Sequence, residues 1–312
     1  MKFNRLWRLF TPIAALVLIA SISLDGAAVQ RTVRLRNSFI SNIKNRAQIT
    51  NLPFTVDHVK PSINPVSEGG DDGDMHVAGR PGTFVALPMV AEVVNGRIVN
   101  DTVVQRLKDR EGQQTTISGV WRLWFEHPPD ELLIQGGTVP KPTGTNPDHI
   151  FELHPITVID GVNSGASFQM VPGYTAYTAT KAFGAYEKLE FSVKKNSQTT
   201  TISSIMAGHN YTQFAAVLAG APKHVNDATF VLVDVQTATG TSVVAKPIRL
   251  VITDGTDVAT AFAALGAKKG TKLTVLGIPR VNLDILMDAA EDTPGEKVVM
   301  KGAYEIIVVG IR

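Results

Sequence analysis

Two tripeptides hold the residues best suited to chemistry. Asp74-Met75-His76 and Glu152-Leu153-His154 each set a carboxylate two residues from an imidazole. In an extended strand, residues i and i+2 point to the same face, so each tripeptide presents an acid and an imidazole side by side. If the two strands met, the four side chains would form a set of two carboxylates and two imidazoles. Such a set suits a divalent metal such as zinc, or general acid–base chemistry. On this reading Asp74, His76, Glu152 and His154 are candidate metal ligands, and the activity would be that of a metal-dependent hydrolase. The plainer reading is structural: a carboxylate that accepts an imidazole N–H fixes the ring in a barrel wall. His127 and His149 are placed to join such a cluster, although each alone reads as a surface or packing histidine.

The elements that must position these groups are two strand-like runs, 119–127 and 149–157, on either side of a loop rich in Pro and Gly at 128–148. In the first run Trp121, Leu123, Phe125 and His127 share one face, and Val120, Arg122, Trp124 and Glu126 share the other. The first face reads as core. The second reads either as a ligand platform or as an amphipathic strand with Trp124 covered by the 128–148 loop. Arg122, Trp124, Glu152 and His154 are therefore the candidate binding residues. No Gly-x-Ser-x-Gly elbow and no phosphate-binding glycine loop is present, so no catalytic residue is assigned. Gly208-His209-Asn210-Tyr211 reads as a turn.

Along the rest of the chain, short β-branched and aromatic runs predict many strands. They fall at 74–78, 84–94, 189–194, 199–206, 228–235, 243–253, 272–276 and 303–311. Asn95-Gly96 is a turn signal. Residues 101–108 predict a helical turn, and 256–266, acidic near its start and closed by Gly266, predicts a helix. Residues 282–290 read as a second short helix or as a strand. Strands and helices do not alternate regularly, which argues against a doubly wound sheet. The fold class expected is mainly β: two small OB-like barrels or sandwiches with one or two short helices, after an N-terminal signal segment.

The chain has 312 residues, 44% of them hydrophobic, and no cysteine. It can bury a sizeable core, and thiol nucleophiles, thiolate metal sites and disulfides are excluded. Lys2, Arg5 and Arg8 precede an apolar run at 9–24 and the small residues Gly26-Ala27-Ala28. This predicts a cleaved signal peptide or an uncleaved anchor over 1–28. Removing those three bases from 30 and Asp25 from 28 acids leaves 27 of each over 29–312, a balance that does not favour nucleic acid. Residues 29–66 read as an extended or short-helical arm whose Arg31, Arg34, Arg36, Lys44 and Arg46 are solvated. Residues 67–162 read as the first OB-like domain and 163–312 as a second β-rich domain with its helix near 256–266.

Asp72-Gly73-Asp74-Met75-His76, Ala91-Glu92-Val93, Gly119-Val120-Trp121 and Glu152-Leu153-His154-Pro155-Ile156 together resemble a group of uncharacterised exported bacterial proteins. Their pattern is a DGD-x-H element, an AE strand, a GV-aromatic strand and a final ELHP. The resemblance covers residues 68–160, and 128–147 is longer than the pattern has. It implies an OB-like barrel and a pairing of the two acid–imidazole motifs, without an activity. The leading functional expectation is thus an extracytoplasmic binding or structural protein, periplasmic, surface-bound or secreted. It would need no cofactor, and its partner would be an envelope component or a second copy through an exposed strand edge. Contact with a membrane would run only through 9–24, if uncleaved. The alternative is the metal-dependent hydrolase.

Overall fold

The structure, a computed structural model, describes residues 29–66 and 72–312. The signal or anchor segment expected at 1–28 lies outside the described residues. Among the described residues no helix is long and apolar enough to cross a membrane.

The first half contains β1 (Arg31–Arg36), α1 (Asn37–Ile43), β2 (Gln48–Val59), β3 (Met75–Pro81), β4 (Met89–Val93), α2 (Gln105–Asp109), β5 (Gln114–His127), β6 (Leu133–Ile134), β7 (His149–Ile159) and β8 (Val162–Asn163). Asn95, with φ of 48°, turns the chain after β4 as the Asn-Gly pair requires. The second half contains β9 (Tyr177–Thr178), α3 (Ala179–Tyr186), β10 (Glu190–Lys195), β11 (Thr199–Ser204), β12 (Thr212–Leu218), β13 (Lys223–Val225), β14 (Ala228–Gln236) and β15 (Ile248–Thr253). It ends with α4 (Asp257–Ala264), β16 (Lys272–Val281), α5 (Leu283–Glu291), β17 (Lys297–Lys301) and β18 (Tyr304–Ile311). The hydroxyl of Thr256 caps α4 by accepting from Ala259 N–H. Asn282 caps α5 from Ile285 N–H, which settles 282–290 as a helix.

Two closed five-stranded barrels result. The first closes in the order β2-β3-β4-β7-β5 and back to β2; every pairing is antiparallel except β4 with β7. The second closes in the order β12-β14-β15-β18-β16 and back to β12; every pairing is antiparallel except β15 with β18. Numbering the strands of each barrel one to five, both run 1-2-3-5-4, with a helix between strands three and four. This is the OB arrangement, and closure leaves neither barrel a free edge.

The expected arm at 29–66 is corrected. Its second part, β2, is a wall of the first barrel, and its first part, β1, pairs with β11 in a third sheet ordered β17-β10-β11-β1-β6. That sheet also takes β10 and β11, and this corrects the expectation of a separate second domain over 163–312. Apolar alternation shows that a strand has a buried face but not which sheet will cover it. Three of the five basic residues of this region have side-chain partners, while Arg46 is exposed as expected. Arg31 pairs with Asp130, Arg36 donates to the Thr83 and Phe84 carbonyls, and Lys44 lies 3.0 Å from Asp284. One continuous apolar core joins both barrels and the third sheet.

The barrels lock together through their fourth strands. Arg122 on β5 donates to the Pro279 carbonyl of β16 at 2.9 Å, and Arg280 on β16 donates to the Trp121 carbonyl of β5 at 3.0 Å. Each arginine also pairs with a glutamate opposite it on strand five: Arg122 with Glu152 at 2.7 Å, Arg280 with Glu305 at 2.8 Å. The two registers agree, Arg122 facing Glu152 and Arg280 facing Glu305. All four residues are buried. Arg280 further stacks on Trp121, 3.6 Å from the ring centroid.

Candidate functional site

Both acid–imidazole motifs lie in the wall of the first barrel, and strand register brings them together. His76 on β3 faces Glu92 on β4; Glu152 on β7 faces Val90 on β4 and Arg122 on β5. Residues paired in register share a face, so His76, Glu92, Glu152 and Arg122 project to one side of the wall. Gly119 permits the close packing of β5 on β7 here. A Cβ at that position would stand 2.9 Å from the Leu153 Cβ and 3.0 Å from the Pro155 carbonyl oxygen.

Glu92, which the sequence reading did not assign to the site, is the centre of the cluster. Its Oε2 lies 3.2 Å from His154 Nδ1 and 3.8 Å from His76 Nε2. It is buried, and among the described residues no donor reaches this oxygen in hydrogen-bond geometry. Asp74, His76 and Glu92 form one potential ion-holding group, and Glu92, Glu152 and His154 a second that shares Glu92.

The two groups differ in what already satisfies them. Glu152 accepts from Arg122 on one oxygen and contacts His149 Nε2 at 3.0 Å on the other. Burial alone would raise its carboxyl, but Arg122 and the two histidines hold it well below the usual range. Burial keeps His154 below its ordinary value, and its Nε2 is spoken for by the Tyr211 hydroxyl at 2.9 Å. This second group therefore already has its cation, the guanidinium. The first group has none of comparable strength. Asp74 Oδ2 lies 3.0 Å from His76 Nε2, and Asn64 donates to its other oxygen. Burial pushes the Asp74 carboxyl up, but His76, with hydrogen bonds from Glu92 and Asp72, outweighs it and holds the group below its usual range. Neighbouring Asp72 is pushed up to about 9, by burial first and by the Asp74 charge second. Burial and the charges of Asp74 and Glu152 raise Glu92 well above the carboxylate range.

Asp74, His76 and Glu92 open onto a cavity of about 330 Å³. Its far wall is the segment Gly208 to Tyr211, with Tyr174 and Tyr177 beside it. Sequence reading took 208–211 for a turn. Its only signal was the clustering of His, Asn and Tyr, which turns also show. His149 joins the cluster through Glu152, and His127, although exposed, lines the cavity, its ring 5.4 Å from that of His149.

The expected contact surface of Arg122, Trp124, Glu152 and His154 is corrected: all four are buried. Trp124 packs edge-on against Tyr186 of α3 at 5.6 Å and on Phe191 of β10 at 6.3 Å, so helix and third sheet cover it. A two-faced aromatic strand is equally consistent with packing on a neighbour and with an open platform.

The second barrel sorts scaffold from site. Matching Arg122 to Arg280 and Glu152 to Glu305, the registers carry Asp74 onto Ala228, His76 onto Phe230, Glu92 onto Val251 and His154 onto Ile307. The arginine–glutamate pair recurs in both barrels. The acids and imidazoles around Glu92 occur in the first alone. The fold and site thus define a double OB-like barrel protein with one buried carboxylate–imidazole cluster beside a small cavity. The chain matches no family model and no curated protein.

Proposed function

We propose that this protein is a divalent-cation-dependent hydrolase, with the ion held by Asp74, His76 and Glu92 and the substrate taken into the adjoining cavity. The carrying observation is the buried, unpartnered Oε2 of Glu92 beside a carboxylate and an imidazole. Ligand atoms about 2.1 Å from one ion are at most roughly 4.2 Å apart. The His76–Asp74 and His76–Glu92 separations of 3.0 and 3.8 Å fit that limit. Two oxygens and one nitrogen suit zinc or manganese. An ion held there supplies Lewis-acid chemistry, polarising a substrate oxygen and acidifying water. Asn64 orients Asp74 through its amide, and half-buried Glu126, which lines the cavity, accepts from Arg122 at 3.0 Å. Glu152, His154 and Arg122, the other expected ligands and binders, support the wall behind Glu92.

The test strips the protein with a chelator and assays ester, phosphoester, amide and glycoside substrates with zinc or manganese restored. At least one should be turned over only with the ion present, and His76→Ala should lose that activity. Ion-independent turnover, or none on any class, overturns the hydrolase. The leader-like sequence at 1–28 supports an extracytoplasmic site of action. A mature N-terminus at Val29 on the isolated protein would bear that out, and a retained Met1 on a protein released without detergent would refute it.

A further inference from the structure

We propose that the cavity receives one neutral polyhydroxyl ring, a monosaccharide or the end unit of a glycan. The inference deepens the hydrolase reading and rests on its bound ion for the charge balance of the cavity. Three observations carry it. First, among the described residues no lysine or arginine lines the cavity, the Lys181 ammonium standing 4.7 Å over the Tyr177 ring, while Glu126 and the Asp72–Asp74 pair do. A phosphate or carboxylate would meet these acids, with only the ion and the imidazoles of His76, His127 and His209 in the lining to draw it. Second, among the described residues two polar atoms of the half-buried far-wall residues have no partner, Nδ1 of His209 and Oδ1 of Asn210, each shut off from solvent. Buried polar atoms of this kind are rare in folded proteins and point to a group that completes them. The wall is held in place: His209 has a left-handed backbone with φ of 67° and its carbonyl accepts from the Tyr186 hydroxyl.

Third, Tyr174 and Tyr177 are half-buried at the cavity, the Tyr177 ring packed edge-on against His209 at 4.6 Å and the Tyr174 ring edge-on against Tyr211 at 5.7 Å. Aromatic rings next to carboxylates, an amide and an imidazole match a pyranose, which offers C–H faces and a rim of hydroxyls that both donate and accept. An organic ammonium would also be drawn to free carboxylates. With a divalent ion on Asp74 and Glu92 that attraction is met, and a neutral ligand fits better. The volume, about 330 Å³, is at the small end of the roughly 300–1,000 Å³ of ligand pockets and has room for one ring rather than a chain.

The test is saturation-transfer NMR on the zinc-loaded full chain with methyl glucoside, methyl mannoside, N-acetylglucosamine, inorganic phosphate and spermidine as separate probes. At least one sugar should bind. Tyr177→Ala should weaken it roughly threefold to tenfold, the worth of one aromatic contact. Tyr177→Phe should retain it, and Asn210→Ala should weaken it. Calorimetric zinc affinity should be unchanged in all three variants. Binding of no sugar, sugar binding indifferent to Tyr177→Ala, or Tyr177-dependent binding of phosphate or spermidine alone each overturns the proposal. Tyr177-dependent sugar binding in a chain that holds no ion would leave this inference standing and remove the ion.

Discussion

Glu92 is one acid in the apolar run Met89-Val90-Ala91-Glu92-Val93-Val94. Sequence alone shows that such a residue must be paired or neutralised, but not by what. Structure places it between two histidines, with one oxygen left over. Glu92→Gln is therefore informative. Burial and neighbouring charge raise the Glu92 carboxyl well above the carboxylate range, which disfavours its charged form, so an amide of the same shape should leave the thermal midpoint unchanged or slightly raised. Ion affinity should fall by more than the roughly 10- to 100-fold that loss of an outer-shell partner costs, because a ligand itself is gone. Differential scanning calorimetry and titration calorimetry on the same preparation check both halves. The Asp/His and Glu/His spacings were legible because period-two geometry dictates them. Glu92, Asn210 and Tyr211 were not, because they reach the site by strand pairing and by a loop from 205–211.

At the scale of the element, closed walls convert sequence spacing into convergence. Runs of strands interrupted at 101–108 and 256–266 by helical segments were visible in composition and turn chemistry; that each helix follows a third barrel strand was not, because 48–59 reads as an arm and 212–218 gives no strand signal. What covers each strand was not visible. Trp124 was expected under the 128–148 loop or facing a ligand; α3 and β10 cover it instead. Trp124→Ala should cost about 3–5 kcal/mol of stability by leaving a cavity. It should leave ion affinity within about twofold, since sites not in contact are nearly additive. Urea denaturation and ion titration test this; a selective loss of binding with stability intact would return Trp124 to the site.

At the scale of the molecule, the two barrels repeat one structural device with little likeness of sequence beyond the Arg and Glu themselves. Arg280→Met leaves buried Glu305 with Arg249 as its remaining cation, and stability should fall by about 3–5 kcal/mol. Adding Glu305→Leu should recover most of that loss, because a buried charge without its partner is the costly state. Denaturant midpoints of the single and double variants decide it. The same repetition makes the ion count decisive, since the second barrel carries Ala228, Phe230, Val251 and Ile307 where the first carries Asp74, His76, Glu92 and His154. Titration calorimetry of the chelator-stripped chain with zinc and manganese measures that count directly. One ion per chain, lost in Glu92→Gln and kept in Glu305→Gln, is the result expected. No stoichiometric ion, or one that survives Glu92→Gln, contradicts the site described above.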